Sequence, residues 1–150
     1  MALNPEFAGR TYPASDRYLV GREKVREFAR ALGEVDPVYF EPAVARERGF
    51  PDVVAPPTYA IRLSMAAAQS VVMDPDLGLD YTRVVHGDQR FEYARPIVAG
   101  DELVTTITIE GIRSAAGNDI LTTRADISTV DGALVVRSFS TLVARGSDDQ

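Results

Sequence analysis

Cysteine is absent from this chain of 150 residues, and histidine occurs once, at position 86. The first absence excludes disulfide bonds and thiolate metal sites, and the second excludes zinc sites built from several histidines. The longest apolar run, residues 59–73, is interrupted by Arg62 and three uncharged polar residues, so it is too short and too polar to span a bilayer. Residues 1–10 contain no apolar segment typical of a signal peptide, and we therefore expect a cytoplasmic protein.

The composition is that of an ordinary globular protein, with 45% hydrophobic and 25% charged residues. At this length we predict a single domain over residues 1–150, large enough to bury its own core. The net charge of −6 disfavours binding to nucleic acid or to an anionic membrane. An acidic carrier protein would have to dock on a local basic patch.

The first half of the chain favours helices. One helix face is predicted from apolar residues spaced three or four apart, ending at the helix stop Gly33: Val25, Phe28, Ala29 and Leu32. Residues 34–57 are rich in proline and favour irregular structure, with a short helical piece near residues 43–48. Residues 58–73 are apolar on nearly all sides, which predicts a helix that is buried all round.

Strands are predicted at residues 17–20 and for most of the chain after residue 81. The main strand predictions, which favour an antiparallel sheet, are residues 84–93, 103–110, 120–130 and 133–144. Residues 116–118 favour a turn, Asp131-Gly132 favours a two-residue hairpin, and residues 146–150 should be frayed. Because the sheet and helix 58–73 must cover each other, we predict an α+β fold with a curved sheet around that helix. Free sheet edges would favour a dimer.

Two motifs resemble those of a known family. Residues 28–42, FARALGEVDPVYFEP, resemble the hydratase motif of MaoC-like hot-dog proteins, roughly Gly-Asp-x-Asn-Pro-Leu-His-x-Asp-Pro. Residues 86–101, HGDQRFEYARPIVAGD, resemble a later segment of that family, and APPTY at residues 55–59 keeps the family order between them. The likeness covers about residues 10–145 and fits the N-terminal, FAS1-like dehydratase branch, where one such domain is often half of a double hot dog. It implies a hot-dog fold, a curved antiparallel sheet wrapped around a long central helix.

The resemblance also implies a reaction. In this family water adds reversibly to a 2-enoyl thioester, or leaves a (3R)-3-hydroxyacyl thioester. An aspartate and a histidine move the protons, and backbone N–H groups at the start of the central helix polarise the thioester oxygen. This chemistry needs a base that titrates near neutrality and preorganised donors for the developing negative charge. No cofactor and no metal is implied.

The chain departs from the family motif at three places. Glu34 stands where the family has its aspartate, so the carboxylate is displaced by one methylene, and such displacements are costly in rate. Tyr39 replaces the histidine, and a phenol with an ordinary pKa of about 10 is a poor base at neutral pH. Pro56 and Pro57 replace the His-Gly pair that opens the helix, and proline has no N–H to donate. Asp36, at the family's asparagine position, is then the candidate substitute acid.

Four further residues are candidate substrate contacts, each with an alternative explanation. His86 is either a relocated base or carrier contact, or a structural histidine that holds the turn at Gly87. Thr58, Tyr59 and Leu63 lie at the start of the central helix. They either line an acyl channel shared with a partner subunit or pack in the core, which is the usual role of an apolar stripe at helical spacing.

Three functions therefore fit the sequence. The first is a non-catalytic or weakly catalytic subunit of a (3R)-hydroxyacyl-ACP dehydratase or enoyl hydratase in fatty-acid metabolism, which lends acyl-channel surface to a dimer with a catalytic hot-dog chain. The second is a stand-alone homodimer that binds an acyl thioester, carried by ACP or CoA, without turnover. The third is a self-sufficient hydratase or thioesterase that uses Glu34 or Asp36. If the chain is an enzyme, we expect a hydro-lyase.

Overall fold

The computed structural model describes residues 3–146, which form one five-stranded antiparallel sheet and three α-helices. The predicted α+β architecture, with helices first and strands after them, is confirmed. Residues 147–150, most of the predicted frayed tail, lie outside the described residues. The helices and strands are, in chain order, β1 (Tyr18–Leu19), α1 (Arg22–Ala31), α2 (Pro42–Glu47), α3 (Ile61–Val72), β2 (Val84–Tyr93), β3 (Glu102–Ala115), β4 (Asn118–Thr129) and β5 (Leu134–Arg145).

The sheet has the strand order β1-β3-β4-β5-β2, and every neighbouring pair is antiparallel. The long strands β3 and β4 alternate between buried and partly exposed residues, because one face of the sheet covers the core. Strand β2, predicted at residues 84–93, has those bounds and lies at one edge of the sheet. A bulge at Gly87 shifts its register against β5 between His86 and Asp88.

One of the two hairpin turns falls within the predicted turn residues 116–118, and the other is longer than predicted. Ala116 and Gly117, with φ values of 52° and 77°, form the two-residue loop between β3 and β4. Both residues therefore have the positive φ that a type I′ turn requires. At Asp131-Gly132 the predicted two-residue loop is wrong. The loop spans residues 130–132, because the Thr129 N–H donates to the Ala133 carbonyl at 2.8 Å and only Gly132 (φ 98°) takes the left-handed conformation.

Helix α3 packs across β3 and β4, but it is not buried all round, and this part of the prediction is wrong. Its buried residues, Leu63, Ser64, Ala67 and Val71, lie on the side that faces the sheet. On the other side Met65 is 60% exposed, and Met73, just after the helix, is 71% exposed. The reason is geometric: one sheet can cover only one side of a helix, so an apolar outer side is left for another surface to cover.

The start of α3 and the end of α1 also differ slightly from the prediction. Residues 57–60 form a turn before α3 begins at Ile61. Helix α1 buries Val25 and Ala29 as predicted, but Leu32 is 51% exposed. The helix ends at Ala31 and the chain reverses at Gly33 (φ 74°), which turns Leu32 away from the core. Within residues 3–146, no helix combines the length and the apolar character needed to cross a membrane.

Candidate functional site

The stretch that resembles the hydratase motif, residues 33–42, lies next to the segment that leads into α3. It contains a short 3₁₀ turn, Pro37–Tyr39, whose Val38 is buried against Val54 and Val98. The Val54 N–H donates to the Val38 carbonyl at 3.1 Å, which ties the motif to the chain two residues before Pro56. The motif therefore lies near the N-terminal end of the central helix, where the resemblance places the thioester site.

Asp36, the candidate substitute acid, is held in a structural role. Its Oδ1 accepts a hydrogen bond from the Val38 N–H at 3.0 Å and thereby caps the 3₁₀ turn. Both carboxylate oxygens lie within 2.9 Å of Arg48 Nη1. These contacts, with Arg48 first, lower the pKa of Asp36 below its usual value. A carboxylate held in its charged form by these partners is not suited to supplying a proton at neutral pH.

Replacing Asp36 by asparagine should therefore change stability in a pH-dependent way. The folded-state pKa of Asp36 lies below its unfolded value of about 3.9, so its stabilising effect is present above that pH and is lost as pH falls through the folded pKa. We expect Asp36→Asn to lower the melting temperature at pH 7, and we expect the difference to shrink as the pH falls below the ordinary carboxyl pKa of about 3.9. Thermal unfolding followed by circular dichroism measures this. Asp16→Asn, at an exposed position, is the control, and a difference that does not vary with pH would contradict the expectation.

Tyr39 stands in place of the family's histidine, and its surroundings do not make it a base. The ring is half-buried and packs beside Val38. Burial, followed by the nearby carboxylates of Glu34 and Asp36, raises the pKa of the Tyr39 phenol above its ordinary value. Tyr39 therefore stays protonated at neutral pH and can donate a hydrogen bond, but it cannot take a proton from substrate as an imidazole does.

The N-terminal end of α3 offers few free backbone donors. Pro56 and Pro57 have none, and the Tyr59 N–H donates to the Pro56 carbonyl at 2.9 Å. The Tyr93 hydroxyl donates to the Pro57 carbonyl and lies beside the Ala60 N–H. Burial is the main cause that raises the pKa of Tyr93 to about 12. The start of α3 therefore has fewer free backbone donors than the resemblance implies.

Of the three candidate contacts at residues 58–63, Tyr59 and Leu63 pack in the core and Thr58 does not. Thr58 is exposed in the turn before α3, and its carbonyl accepts from the Ile61 N–H. Tyr59 is fully buried: its hydroxyl is 2.7 Å from the Tyr18 hydroxyl, and its ring meets the Phe28 ring edge-on at 5.2 Å. Burial is the main cause that raises the pKa of the Tyr59 phenol well above its ordinary value. Leu63 is buried in the same core cluster.

A cavity of about 650 Å³ opens along one flank of α3, between the helix and the inner faces of β4, β5 and β2. Its wall is mainly apolar and includes Val71, Leu121 and Leu142. None of the residues that the structure shows in this wall is Asp, Glu, Lys or Arg. The size and the apolar lining are typical of a small-molecule site. No residue of the motif stretch lines this cavity.

His86 belongs to this cavity and not to the motif. Its Nε2 lies 3.1 Å from the Ser140 hydroxyl on the adjacent strand. Because of the bulge at Gly87, His86 and Gln89 line the same cavity although they are three residues apart. Gln89 Nε2 donates to the Ser138 hydroxyl at 2.7 Å. His86 is therefore hydrogen-bonded to the adjacent strand, and its exposed ring lines a ligand-sized space.

Gln89, Ser138 and Ser140 were not predicted from the sequence as residues of a site. A signal was present, because Ser138 and Ser140 lie between the apolar inward residues Val136 and Leu142 of β5, and an inward serine needs a partner. No potential metal site stands out: within residues 3–146, no group of three or more acidic or histidine side chains is arranged to hold a metal ion.

The comparisons with known proteins agree with this architecture. The family model described as "FAS1-like, dehydratase domain region" matches residues 6–138. A UPF0336 protein of Streptomyces avermitilis is 52% identical over 149 residues, which cover 99% of each chain. One of Saccharopolyspora erythraea is 53% identical over 147 residues, covering 98% of this chain and 94% of the relative.

Two solved structures are similar in both fold and sequence. A chain of the C-terminally truncated HadBC (3R-hydroxyacyl-ACP dehydratase) complex from Mycobacterium tuberculosis has a TM-score of 0.82 and 34% identity, covering 91% of this chain and 96% of that one. A protein described as a MaoC-like dehydratase has a TM-score of 0.86 and 35% identity, covering 95% of this chain and 43% of that one. The fold is thus a hot-dog fold. The chain belongs to the FAS1-like dehydratase region family of MaoC-like hot-dog proteins, as the motifs predict.

Proposed function

We propose that this chain is the non-catalytic subunit of a (3R)-hydroxyacyl thioester dehydratase and works beside a hot-dog chain that carries the aspartate and the histidine. The observation that carries the proposal is the state of its own motif region. A tyrosine that stays protonated replaces the base, and the Tyr93 hydroxyl donates to the Pro57 carbonyl at the start of the central helix. Asp36, the remaining candidate acid, is paired with Arg48.

The cavity beside α3 supports a role in holding the acyl chain. A subunit that lacks chemistry but retains an apolar space of about 650 Å³ can still bury the hydrocarbon part of a substrate. Burial of each methylene contributes about 0.8 kcal/mol. Because the cavity lies away from residues 33–42, its natural use is for an acyl chain whose thioester end is held by another subunit.

Two uncovered surfaces support a partner. Strand β2 is an edge strand of ten residues, and Val85 on it is 43% exposed. Met65 and Met73 are exposed along the outer side of α3, next to the cavity. A long unpaired edge and an apolar patch beside it are features that proteins usually cover. The similar HadBC chain was solved as part of a complex, and we propose the same arrangement here.

The test is co-expression with a hot-dog protein that has an intact Gly-Asp-x-Asn-Pro-x-His motif. We expect the two chains to purify together at the mass of a heterodimer. We also expect the pair to hydrate enoyl thioesters at rates that neither chain reaches alone. Light scattering gives the mass, and loss of enoyl absorbance gives the rate. A stable homodimer whose addition never raises the partner's rate would contradict the proposal.

A variant that narrows the cavity tests whether the cavity holds the acyl chain. Ala66 is exposed on α3 and lines the cavity, so Ala66→Phe should fill part of it without disturbing the core. Excluding two methylenes at about 0.8 kcal/mol each should cost about tenfold in kcat/KM for a long-chain substrate and little for crotonyl thioester. Ala43→Phe, on an exposed position of α2, is the matched control. Equal losses for short and long chains at unchanged heterodimer mass would contradict a chain-holding role.

A second candidate function is a homodimer that binds acyl thioesters without turnover. It is favoured by one observation, that the cavity is formed within a single chain and needs no partner residue to exist. The co-expression experiment separates the two. A self-sufficient hydratase that uses Glu34 or Asp36 predicts turnover by the lone chain that Glu34→Gln or Asp36→Asn abolishes.

A further inference from the structure

The cavity beside α3 is crossed by a band of polar side chains, which we call the polar band: Thr123 of β4, Ser138 and Ser140 of β5, and His86 and Gln89 of β2. The strand register brings these residues together, because Ser140 pairs with Thr123 on one side and with Gln89 on the other. Apolar residues lie on both sides of the band: Leu121 and Leu142 pair across β4 and β5 at one end, and Ala125 lies at the other.

The polar band retains unused hydrogen-bonding capacity. Two contacts hold it together, from Gln89 Nε2 to Ser138 Oγ at 2.7 Å and between Ser140 Oγ and His86 Nε2 at 3.1 Å. A glutamine side chain also has an acceptor oxygen, and a serine that accepts a bond still has its own proton to donate. Among residues 3–146, the Gln89 carbonyl oxygen and the Thr123 hydroxyl have no side-chain partner.

This arrangement is unfavourable for a plain hydrocarbon chain. An alkyl chain lying across the band would displace water from the hydroxyl and amide groups and return no hydrogen bond, which costs free energy for each polar group left unpaired. A ligand with one neutral oxygen function at the same depth would satisfy the groups that are left over. A charged group is disfavoured, because none of the described residues in the cavity wall is Asp, Glu, Lys or Arg to compensate it.

We propose that the polar band selects acyl chains that carry a hydroxyl or keto oxygen part-way along the chain, and that Gln89 and Ser138 determine this specificity. The inference rests on the proposed acyl-binding function and narrows it to a substrate class. A keto or hydroxyl oxygen of the ligand accepts a hydrogen bond from the Ser138 hydroxyl. A hydroxyl group of the ligand can instead donate to the Gln89 carbonyl oxygen. The rest of the chain packs against Leu121, Leu142 and Val71.

The test compares two probes, stearoyl pantetheine and the same thioester with a hydroxyl group at mid-chain. Each competes with the neutral dye Nile red for the purified chain, and displacement gives the dissociation constants. One additional hydrogen bond in the cavity should make the hydroxylated probe bind about 3- to 10-fold more tightly. Equal affinities for the two probes overturn the inference and leave the acyl-binding function standing. Failure of both probes to displace the dye overturns the two proposals together.

Variants identify the residues. Gln89→Leu with Ser138→Ala removes both partners of one hydrogen bond, and we expect it to abolish the preference and to strengthen binding of the plain chain. The control is Leu134→Met on β5, which lies outside the cavity wall and should keep the preference. Ser138→Ala alone provides a second measurement if the double variant does not fold, and it should reduce the preference. A full preference in every folded variant that changes Gln89 or Ser138 overturns the assignment to these two residues.

Discussion

Glu34→Asp combined with Tyr39→His is expected to leave the chain almost without hydratase activity, and adding Pro57→Gly is expected to raise the rate by about 10²–10³-fold over that double variant. The first two changes restore the family's acid and base. They do not restore the donor for the thioester oxygen, because Pro57 has no N–H and the Tyr59 N–H is already bonded to the Pro56 carbonyl. Loss of one such donor typically costs the stated factor in kcat.

Hydration of crotonyl-CoA, followed by loss of the enoyl absorbance, measures this effect. The matched control is Pro51→Gly in the double variant, since Pro51 is an exposed proline outside the motif and the start of α3. The control should not change the rate. A double variant that already reaches the rate of the triple variant would show that the missing N–H is not what limits the site. The lack of activity of the parent chain would then be due to its replaced acid and base alone.

Tyr59→Ala is expected to destabilise the fold by about 3–5 kcal/mol, and Tyr59→Phe by about 1 kcal/mol. The alanine variant leaves a cavity where the ring meets Phe28, whereas the phenylalanine variant loses only the bond between the Tyr59 and Tyr18 hydroxyls. Urea unfolding followed by circular dichroism gives the free energy of unfolding. Thr58→Ala, at the exposed neighbour, should stay within about 0.5 kcal/mol of the parent.

This prediction also separates the two explanations of Tyr59. A residue that lines an acyl channel costs ligand affinity when it is truncated and leaves stability nearly unchanged. A core residue costs stability, because its buried area and its contacts are lost on unfolding. A Tyr59→Ala variant that unfolds like the parent, and binds acyl thioesters poorly, would contradict the core assignment.

The strands were predictable because their signal is local. Residues 84–93 and 120–130 were predicted as strands from their composition and alternation, and β2 and β4 lie within a residue or two of those bounds. The turn at Asp131-Gly132 was predicted with one residue too few. A two-residue type I′ turn needs a positive φ at both positions, and that conformation occurs instead at Ala116-Gly117.

The site was only partly predictable. The replacement of the motif's histidine by Tyr39, and the pair of prolines before α3, can be read directly from the sequence. The pairing of Asp36 with Arg48 and the placement of the Tyr93 hydroxyl at the Pro57 carbonyl cannot, because they join residues 12 and 36 positions apart. Both contacts matter for function. The ion pair with Arg48 holds the candidate acid Asp36, and the Tyr93 hydroxyl is bonded to the backbone at the start of the central helix.

By itself, the sequence determined which segments become strands and which chemical groups are missing from the motif, because alternation, turn residues and residue identity are local properties. Only the tertiary structure decided which side of α3 is covered and that a cavity lies between one flank of the helix and the sheet. It also decided that polar residues from three strands form one band in that cavity. The physical reason is that these features depend on the curvature and register of the sheet, including the bulge at Gly87, which bring together side chains far apart along the chain.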